Sequence, residues 1–332
     1  MSASLKPIRT LRLEYRPQPA VLLPHVATLD YLTLARGRVP THGHVGPTAP
    51  GRAMIRRGRT VSATIENRRL TIRDIHAMGQ KGEKIVMLTA YDYVTAGLVD
   101  QSGVEIILVG DSLGNVVLGH ETTLAVTLDD MIRHASAVYR GSARALVVCD
   151  LPFGAATDPE TELRSAVAVL QQTGCQAVKI EGGGTAAPIV ARLVGQGIPV
   201  MAHIGLTPQA VHQLGGYYRH GKDAPAAQEL IAAARELQKA GAFAIVLEFI
   251  VPEVAAEITQ LLDIPTIGIG SGPDCAGQVL VINDLIGLNV RPVPGFAKPK
   301  ADVAGIIRQA VGDYVAEVKA HPTAKAKEPA IG

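Results

Sequence analysis

Residues 106–120 read IILVGDSLGNVVLGH. Four consecutive apolar residues run into Gly110, and the chain leaves them through Asp111 and Ser112. An apolar run without alternation is the pattern of a strand buried on both faces. A single polar exit from such a strand is no more than a helix or turn cap. The same event recurs at 145–154 (ALVVCDLPFG), 177–184 (AVKIEGGG) and 244–249 (AIVLEF). Repetition turns a local feature into a property of the fold.

Working outward, β-rich runs fall at 85–90, 106–109, 145–149, 177–180, 199–203, 244–247, 266–269 and 279–282. Between them lie helical patterns, LDDMIRHASAVYRG, TELRSAVAVLQQTG, AAQELIAAARELQKAG and PEVAAEITQLLD among them, and ADVAGIIRQAVGDYVAEVKAH follows the last strand. Strands alternating with helices imply right-handed parallel crossovers. Eight such units over about 250 residues predict a (β/α)8 TIM barrel. A doubly wound sheet is the alternative, but no G-x-G-x-x-G opens the first strand–helix turn. GIGSG at 268–272 comes late and is followed by Pro273, so it reads as a tight turn. TIRDIHAMGQKG, with Thr71 in front and Asp74 three residues on, predicts a short capped helix ahead of the barrel.

The 332 residues are 47% hydrophobic with a net charge of +2, which gives ample core and no electrostatic footprint for nucleic acid. Aromatics make up 4% and tryptophan is absent, against a base-stacking surface. The three cysteines, Cys149, Cys175 and Cys275, have neither disulfide nor zinc spacing and read as small core residues in a reducing compartment. No apolar run reaches the roughly 20 residues of a membrane helix. A soluble cytoplasmic protein is expected.

Residues 1–70 differ from the rest. They are rich in arginine, proline and glycine, without periodicity, and up to residue 67 carry acids only at Glu14, Asp30 and Glu66. An organelle transit peptide, hence a mitochondrial location, is one reading. A loosely ordered extension, or a start assigned upstream of one near Met54, are the others, favoured by the lack of an amphipathic helix. The expected organisation is an N-terminal extension over 1–70, the barrel over 71–322 and a tail over 323–332.

Barrels of this kind carry their chemistry at the carboxyl ends of the strands. There this chain places Asp92, Asp111, Ser112, Asp150, Glu181, His203, Glu248 and Ser271, with Lys179 two residues before Glu181. Five acids on one rim repel one another and call for a cation or for protonation. Oxygen ligands without thiolates suit a hard divalent ion that retains water, Mg²⁺ first. KIEGGG lacks the Lys-Ser/Thr pair of a phosphate loop, so its glycines serve a turn. His120 and His134 read as loop and helix-face residues.

LTAYDYVTAGLVDQSGVEIILVGDSLGNVVLGHETTL, CDLPFG, AVKIEGG, AHIGLTPQ, LGGYYRHGK, VLEFIVPE, IPTIGIGSG and GQVLVINDLIGL together resemble the ketopantoate hydroxymethyltransferase family, in that family's order, from about residue 71 onward. The resemblance implies a (β/α)8 barrel that transfers a hydroxymethyl group from 5,10-methylenetetrahydrofolate to 3-methyl-2-oxobutanoate, giving 2-dehydropantoate in pantothenate biosynthesis. It implies Asp111 and Asp150 as magnesium ligands with Glu181 beside the metal, and Ser112, Lys179 and His203 at the keto-acid along with the two aspartates. Glu248 matches the general base, and the apolar residues around it suggest an apolar setting for its carboxylate. A homo-oligomer, decameric in the family, is also implied. Three positions depart from the pattern: Ala125 where proline is usual, Asn283 where histidine is common, and Pro252 one place from its usual position. They touch loop shape and donor fit.

Two rivals remain open. One is a Mg²⁺-dependent enolate enzyme of the phosphoenolpyruvate mutase and isocitrate lyase type, although its KCGH-like cysteine loop is missing from this sequence. The other is a sensor or carrier on a decayed barrel, which has no use for a base among acids.

Overall fold

The computed structural model describes residues 68–156 and 158–321. Eight parallel strands close into a barrel in sequence order: β1 Ile85–Thr89, β2 Ile106–Val109, β3 Leu146–Asp150, β4 Ala177–Glu181, β5 Val200–Gly205, β6 Ala244–Glu248, β7 Thr266–Ile269 and β8 Gly277–Leu280. The expected TIM barrel is therefore the fold, and the doubly wound alternative falls. Among the described residues no helix is long and apolar enough to cross a membrane. The expected extension (up to residue 67) and the tail lie outside the described residues.

Residues 68–70, at the end of the expected extension, dock on the barrel. Leu70 N donates to Arg144 O at 2.7 Å, and Arg69 bonds Ser142 Oγ and Ala145 O while its guanidinium sits 4.3 Å over the Tyr139 ring. The short helix Ile72–Gln80 follows, opened by the Thr71 backbone N–H and hydroxyl both donating to the Asp74 carboxylate. The helices Leu128–Gly141, Pro159–Thr173, Ala224–Lys239 and Pro252–Leu261 lie where their periodicity predicts.

Strand side chains alternate between two cores. One face of each strand packs under the helices, with Ile107, Val109, Val147, Val178, Val200, Ile245 and Leu247 among its buried residues. The other fills the barrel interior through Ile85, Met87, Ile106, Leu108, Leu146, Val148, Ala177, Met201, Ala244, Val246, Ile267 and Val279. This two-residue period is the device that builds the site. Asp150, Lys179, Glu181, His203 and Glu248 each share the inward parity of their own strand, nearer its carboxyl end. The three cysteines are buried and unbonded, as small core residues.

Two expectations about the strands need correction. The last strand spans Gly277–Leu280 rather than 279–282, because Ile282 already opens a short helix, Ile282–Ile286. Nor are all eight strands covered outside: β1 and β8 alternate, with Val86 47% exposed and Gln278 exposed. The reason lies in the helix that follows β8. Val303–Ala320 has no buried residue, so it does not cover the outer face of these two strands.

Candidate active site

At the β2 exit, Gly110 takes the inward parity, and a Cβ there would come within 2.9 Å of Ser112 Oγ and 3.5 Å of Asp150 Oδ2. The missing side chain lets the chain turn so that Asp111 N donates to Asp150 Oδ2 at 3.0 Å. Ser112 Oγ pairs with the buried phenol of Tyr91 at 2.8 Å. Asp111 and Asp150 are 4% and 2% exposed.

Lys179 stands between the acids. Its Nζ is 3.1 Å from Asp150 Oδ1, 3.8 Å from Glu181 Oε1 and 3.2 Å from His203 Nδ1. Burial works to lower the lysine's pKa, but Asp150, Glu181 and Asp111 together raise it above the ordinary value, so it is an ammonium. His203 is buried between two carboxylates, Nδ1 lying 3.4 Å from Glu181 Oε1 and Nε2 3.3 Å from Glu248 Oε2. Burial and Lys179 push its pKa down, Glu181 and Glu248 push it up, and the balance is a rise to about 9. The neutral ring accepts from lysine at Nδ1, and the imidazolium donates to Glu181 from the same nitrogen. Burial raises Glu181 less than His203, Lys179 and the Gln209 N–H lower it, leaving it below its usual range.

Asp111 has the opposite balance. Burial first, then the charges of Glu181 and Asp150, hold its carboxyl well above the usual range. Burial and the charge of Glu181 also raise Asp150, although the Lys179 ammonium lies 3.1 Å from its Oδ1. The pair is short of positive charge. Among the described residues no three His, Cys, Asp or Glu side chains enclose an ion by themselves. Two adjacent oxygen ligands of this kind fit a hard ion that completes its shell with water and substrate oxygens.

Glu248 ends β6, and the apolar setting expected for its carboxylate is not what surrounds it. The side chain is 18% exposed to the cavity and faces the His203 ring. The next residue, Phe249, has φ 52°, and among the described residues it alone is a non-glycine with positive φ. Phe249 N donates to Ile269 O, its carbonyl accepts from His220 N, and Arg219 lies 4.8 Å over its ring. Strain of this kind persists only where surrounding contacts over-determine it. Gly205, beside it at the end of β5 with φ 94°, is required because a Cβ would run into Glu248 O.

Not every strand-end residue joins the cluster. Asp92 is an exposed helix cap, accepting from Thr95 N at 2.8 Å, so four of the five predicted strand-end acids meet at the mouth. Ser271 is structural: it donates to Leu247 O and accepts from Ile250 N. His134 sits on a helix face with Nδ1 against Tyr91 O. Gln209 went unread in the sequence although AHIGLTPQ contains it. Its amide donates to Asp111 Oδ2 at 2.9 Å and to Leu151 O, and its backbone N–H to Glu181 Oε2 at 3.0 Å. The cluster opens into a cavity of about 960 Å³, lined on its other side by residues after β8, including Asn283, Asp284 and Phe296.

A parallel barrel whose carboxyl-end mouth gathers four acids, a buried ammonium and a histidine into a ligand-sized cavity is the architecture of a barrel enzyme with an acid–base centre. The match to known proteins narrows this class. Residues 69–324 match the family described as ketopantoate hydroxymethyltransferase. The chain is 54% identical over 251 residues to 3-methyl-2-oxobutanoate hydroxymethyltransferase of Chloroflexus aurantiacus, covering 76% of this chain and 89% of that protein. It is 54% identical over 257 residues to the protein of the same name from Pyrobaculum calidifontis, covering 77% and 96%. The chain belongs to the ketopantoate hydroxymethyltransferase family and is an enzyme, a hydroxymethyltransferase. Solved structures share the fold at low identity. Phosphoenolpyruvate phosphomutase from Streptomyces platensis subsp. rosaceus has a TM-score of 0.53 at 15% identity, covering 78% of this chain and 92% of that one. Phosphonopyruvate hydrolase, in complex with oxalate and Mg²⁺, has a TM-score of 0.52 at 12%, with the same coverage.

Proposed function

We propose that this enzyme transfers a hydroxymethyl group from 5,10-methylenetetrahydrofolate to 3-methyl-2-oxobutanoate, forming 2-dehydropantoate for pantothenate synthesis, with Glu248 as the base. One contrast within the mouth carries the reading. The side chains of Asp150, Lys179 and Glu181 are 3–5% exposed and locked to one another, whereas the Glu248 carboxylate is 18% exposed and reaches the cavity. A base must touch its substrate, and the charge that develops on that substrate must meet fixed counter-charge.

Each residue then has a role. Lys179 and Ser112 hold the keto-acid's carboxylate end, and the Tyr91 hydroxyl fixes the serine's rotamer. Asp111 and Asp150 hold the divalent ion, Mg²⁺, with Glu181 beside it and Gln209 orienting both Asp111 and Glu181. When bound, that ion supplies Lewis-acid stabilisation of negative charge at the keto oxygen. Glu248 takes the proton from C3, with the His203 ring as its ion-pair partner, Nε2 lying 3.3 Å from the carboxylate. The C3 electron pair forms the new bond to the donor's methylene carbon as its bond to one folate nitrogen breaks, and water replaces the second nitrogen there, so tetrahydrofolate leaves with the proton from C3 on one nitrogen and a proton from water on the other. Residues 71–322 form the catalytic domain in this reading, with the docked residues 68–70 leading into it.

A homo-oligomer belongs to the same proposal. The helix Val303–Ala320 exposes Ile306, Ile307, Val311, Tyr314 and Val318 at 46–66%, while the outer face of β1 and β8 stands uncovered. A second copy of the chain supplies both missing partners, and light scattering on the purified protein tests it against a monomer.

The function is tested by following 2-dehydropantoate formation from 3-methyl-2-oxobutanoate, methylenetetrahydrofolate and Mg²⁺. The role of Glu248 is tested without folate, by NMR of the exchange of the C3 hydrogen in deuterated water. Glu248→Gln keeps the size and should slow exchange by about 10²–10⁴ while the keto-acid still binds. Exchange at the wild-type rate in that variant moves the base elsewhere, with His203 and Glu181 next in reach.

A further inference from the structure

We infer that Asp284 recognises the amino-pyrimidinone edge of the one-carbon donor, on the side of the cavity opposite the reacting cluster. The inference rests on the donor proposed above and adds the group that selects it.

Asp284 lies on the short helix Ile282–Ile286, directly after β8. In an eight-strand ring β8 stands four places from β4 in either direction, so Asp284 faces the mouth from across Lys179 and Glu181. It lines the same cavity and is 8% exposed. Its Oδ1 accepts from Asn289 Nδ2 at 2.9 Å, and among the described residues nothing donates to Oδ2. Among the described residues no cation stands beside it: burial pushes its carboxyl up, and only the Asn289 bond works the other way. The idle oxygen is open to the cavity, where a ligand's N–H donors can reach it.

The keto-acid is the wrong ligand for that position, since its own carboxylate would meet another. It also needs only a small part of a cavity of about 960 Å³. The remaining space belongs to a larger molecule with an apolar, flat body, because Val281, Leu288 and Phe296 also line it. The pterin of a reduced folate presents a ring N–H and an exocyclic amine on one edge. That donor pair matches a carboxylate in the same fork geometry as a guanidinium. Asn289 fixes the carboxylate's rotation, so it is a positioning residue. With the pterin edge on Asp284, the one-carbon unit points toward the β2–β4 side, where the nucleophile forms.

The experiment is equilibrium binding of tetrahydrofolate, and of its 2-desamino analogue, to the full chain and to Asp284→Asn. The amide is isosteric and still accepts from Asn289, but it loses the charged acceptor. Wild type should prefer tetrahydrofolate over the analogue by about 10- to 100-fold, the scale of a charged hydrogen bond. Asp284→Asn should weaken tetrahydrofolate by a similar factor and bind both pteridines alike, while C3 exchange of the keto-acid in the absence of folate proceeds as in wild type. Equal binding of the two pteridines by wild type overturns the inference without reference to any variant. Unchanged tetrahydrofolate affinity in Asp284→Asn, or loss of exchange alongside loss of binding, overturns it as well. A wild type that discriminates the pteridines yet forms no 2-dehydropantoate supports the subsite and defeats the reaction assigned above.

Discussion

Replacing Lys179 by Met keeps the length of the side chain and removes its charge. In the wild type, Nζ lies 3.1 Å from Asp150 Oδ1 and 3.8 Å from Glu181 Oε1, with every side chain involved 5% exposed or less. At an effective dielectric constant of about 20 these attractions are worth roughly 5 and 4 kcal/mol before desolvation is counted. The variant recovers the several kcal/mol that burying an ammonium costs, which leaves a net loss of about 3–5 kcal/mol. For a domain of this size that is a fall in melting temperature of roughly 6–20 °C. The lysine's folded pKa is raised above its unfolded value. Its stabilisation is therefore complete below the unfolded pKa of about 10.4 and is lost only as pH rises through the higher folded value. Across pH 5–8 the wild type consequently shows no lysine-linked change. In the variant the carboxylates face one another uncompensated and gain stability on protonation, so the deficit shrinks as pH falls from 8 to 5. Urea unfolding of metal-free protein at several pH values measures this. A variant within about 1 kcal/mol of wild type at pH 7, or a deficit flat across the range, refutes the idea that Lys179 balances the buried acids.

Asp111→Asn should move stability the other way. A carboxyl whose folded pKa is raised destabilises the fold as pH climbs through that value, so the amide should stabilise metal-free protein at pH 7 by about 1–3 kcal/mol. Mg²⁺ should no longer raise its melting temperature, and a drop in metal-free stability counts against this account. Asp100 accepts from the backbone N–H groups of Ala143, Arg144 and Ala145 at 2.7–3.2 Å. Burial raises its pKa less than those bonds lower it, so its stabilisation is present above the unfolded value of about 3.9 and is lost as pH falls through the lower folded one. Asp100→Asn should cost about 1–3 kcal/mol at pH 7, with the difference shrinking only below about pH 4; urea unfolding at both pH values checks it. Gly205→Ala combines a positive φ with contacts on Glu248 O and, at 2.7 Å, Ile250 Cγ1. A loss of about 2–6 kcal/mol is expected in the urea midpoint, and a neutral result would mean that the β5–β6 exit gives way freely.

The barrel was legible because its information is local. Unbroken apolar runs such as 106–109 and 145–149 bury both faces, and helical periodicity between them leaves few topologies. Asp111, Asp150, Lys179, Glu181, His203 and Glu248 could be picked out because they leave those runs at the end where parallel barrels work. Sequence position could not separate Asp92 from them. A carboxylate at a strand exit looks the same whether it caps the next helix or turns inward, and only the chain's path into Tyr93–Gln101 decides. Gln209 and Asp284 stayed hidden for a related reason: each sits on a loop or short helix where no periodicity marks which way it points.

What the sequence determined alone was the count, order and inward parity of the strands, and with them the residues able to meet. Parity is a two-residue rule, and it needs no long-range information. Tertiary structure decided which of those residues carry charge and which reach the cavity. Lys179 is an ammonium because β3 and β4 set Asp150 and Glu181 within 4 Å of it, and Glu248 is open because Phe249 and Gly205 bend the chain beside it. Electrostatics depends on distance and burial, and both exist only once strands far apart in the chain have closed into one ring.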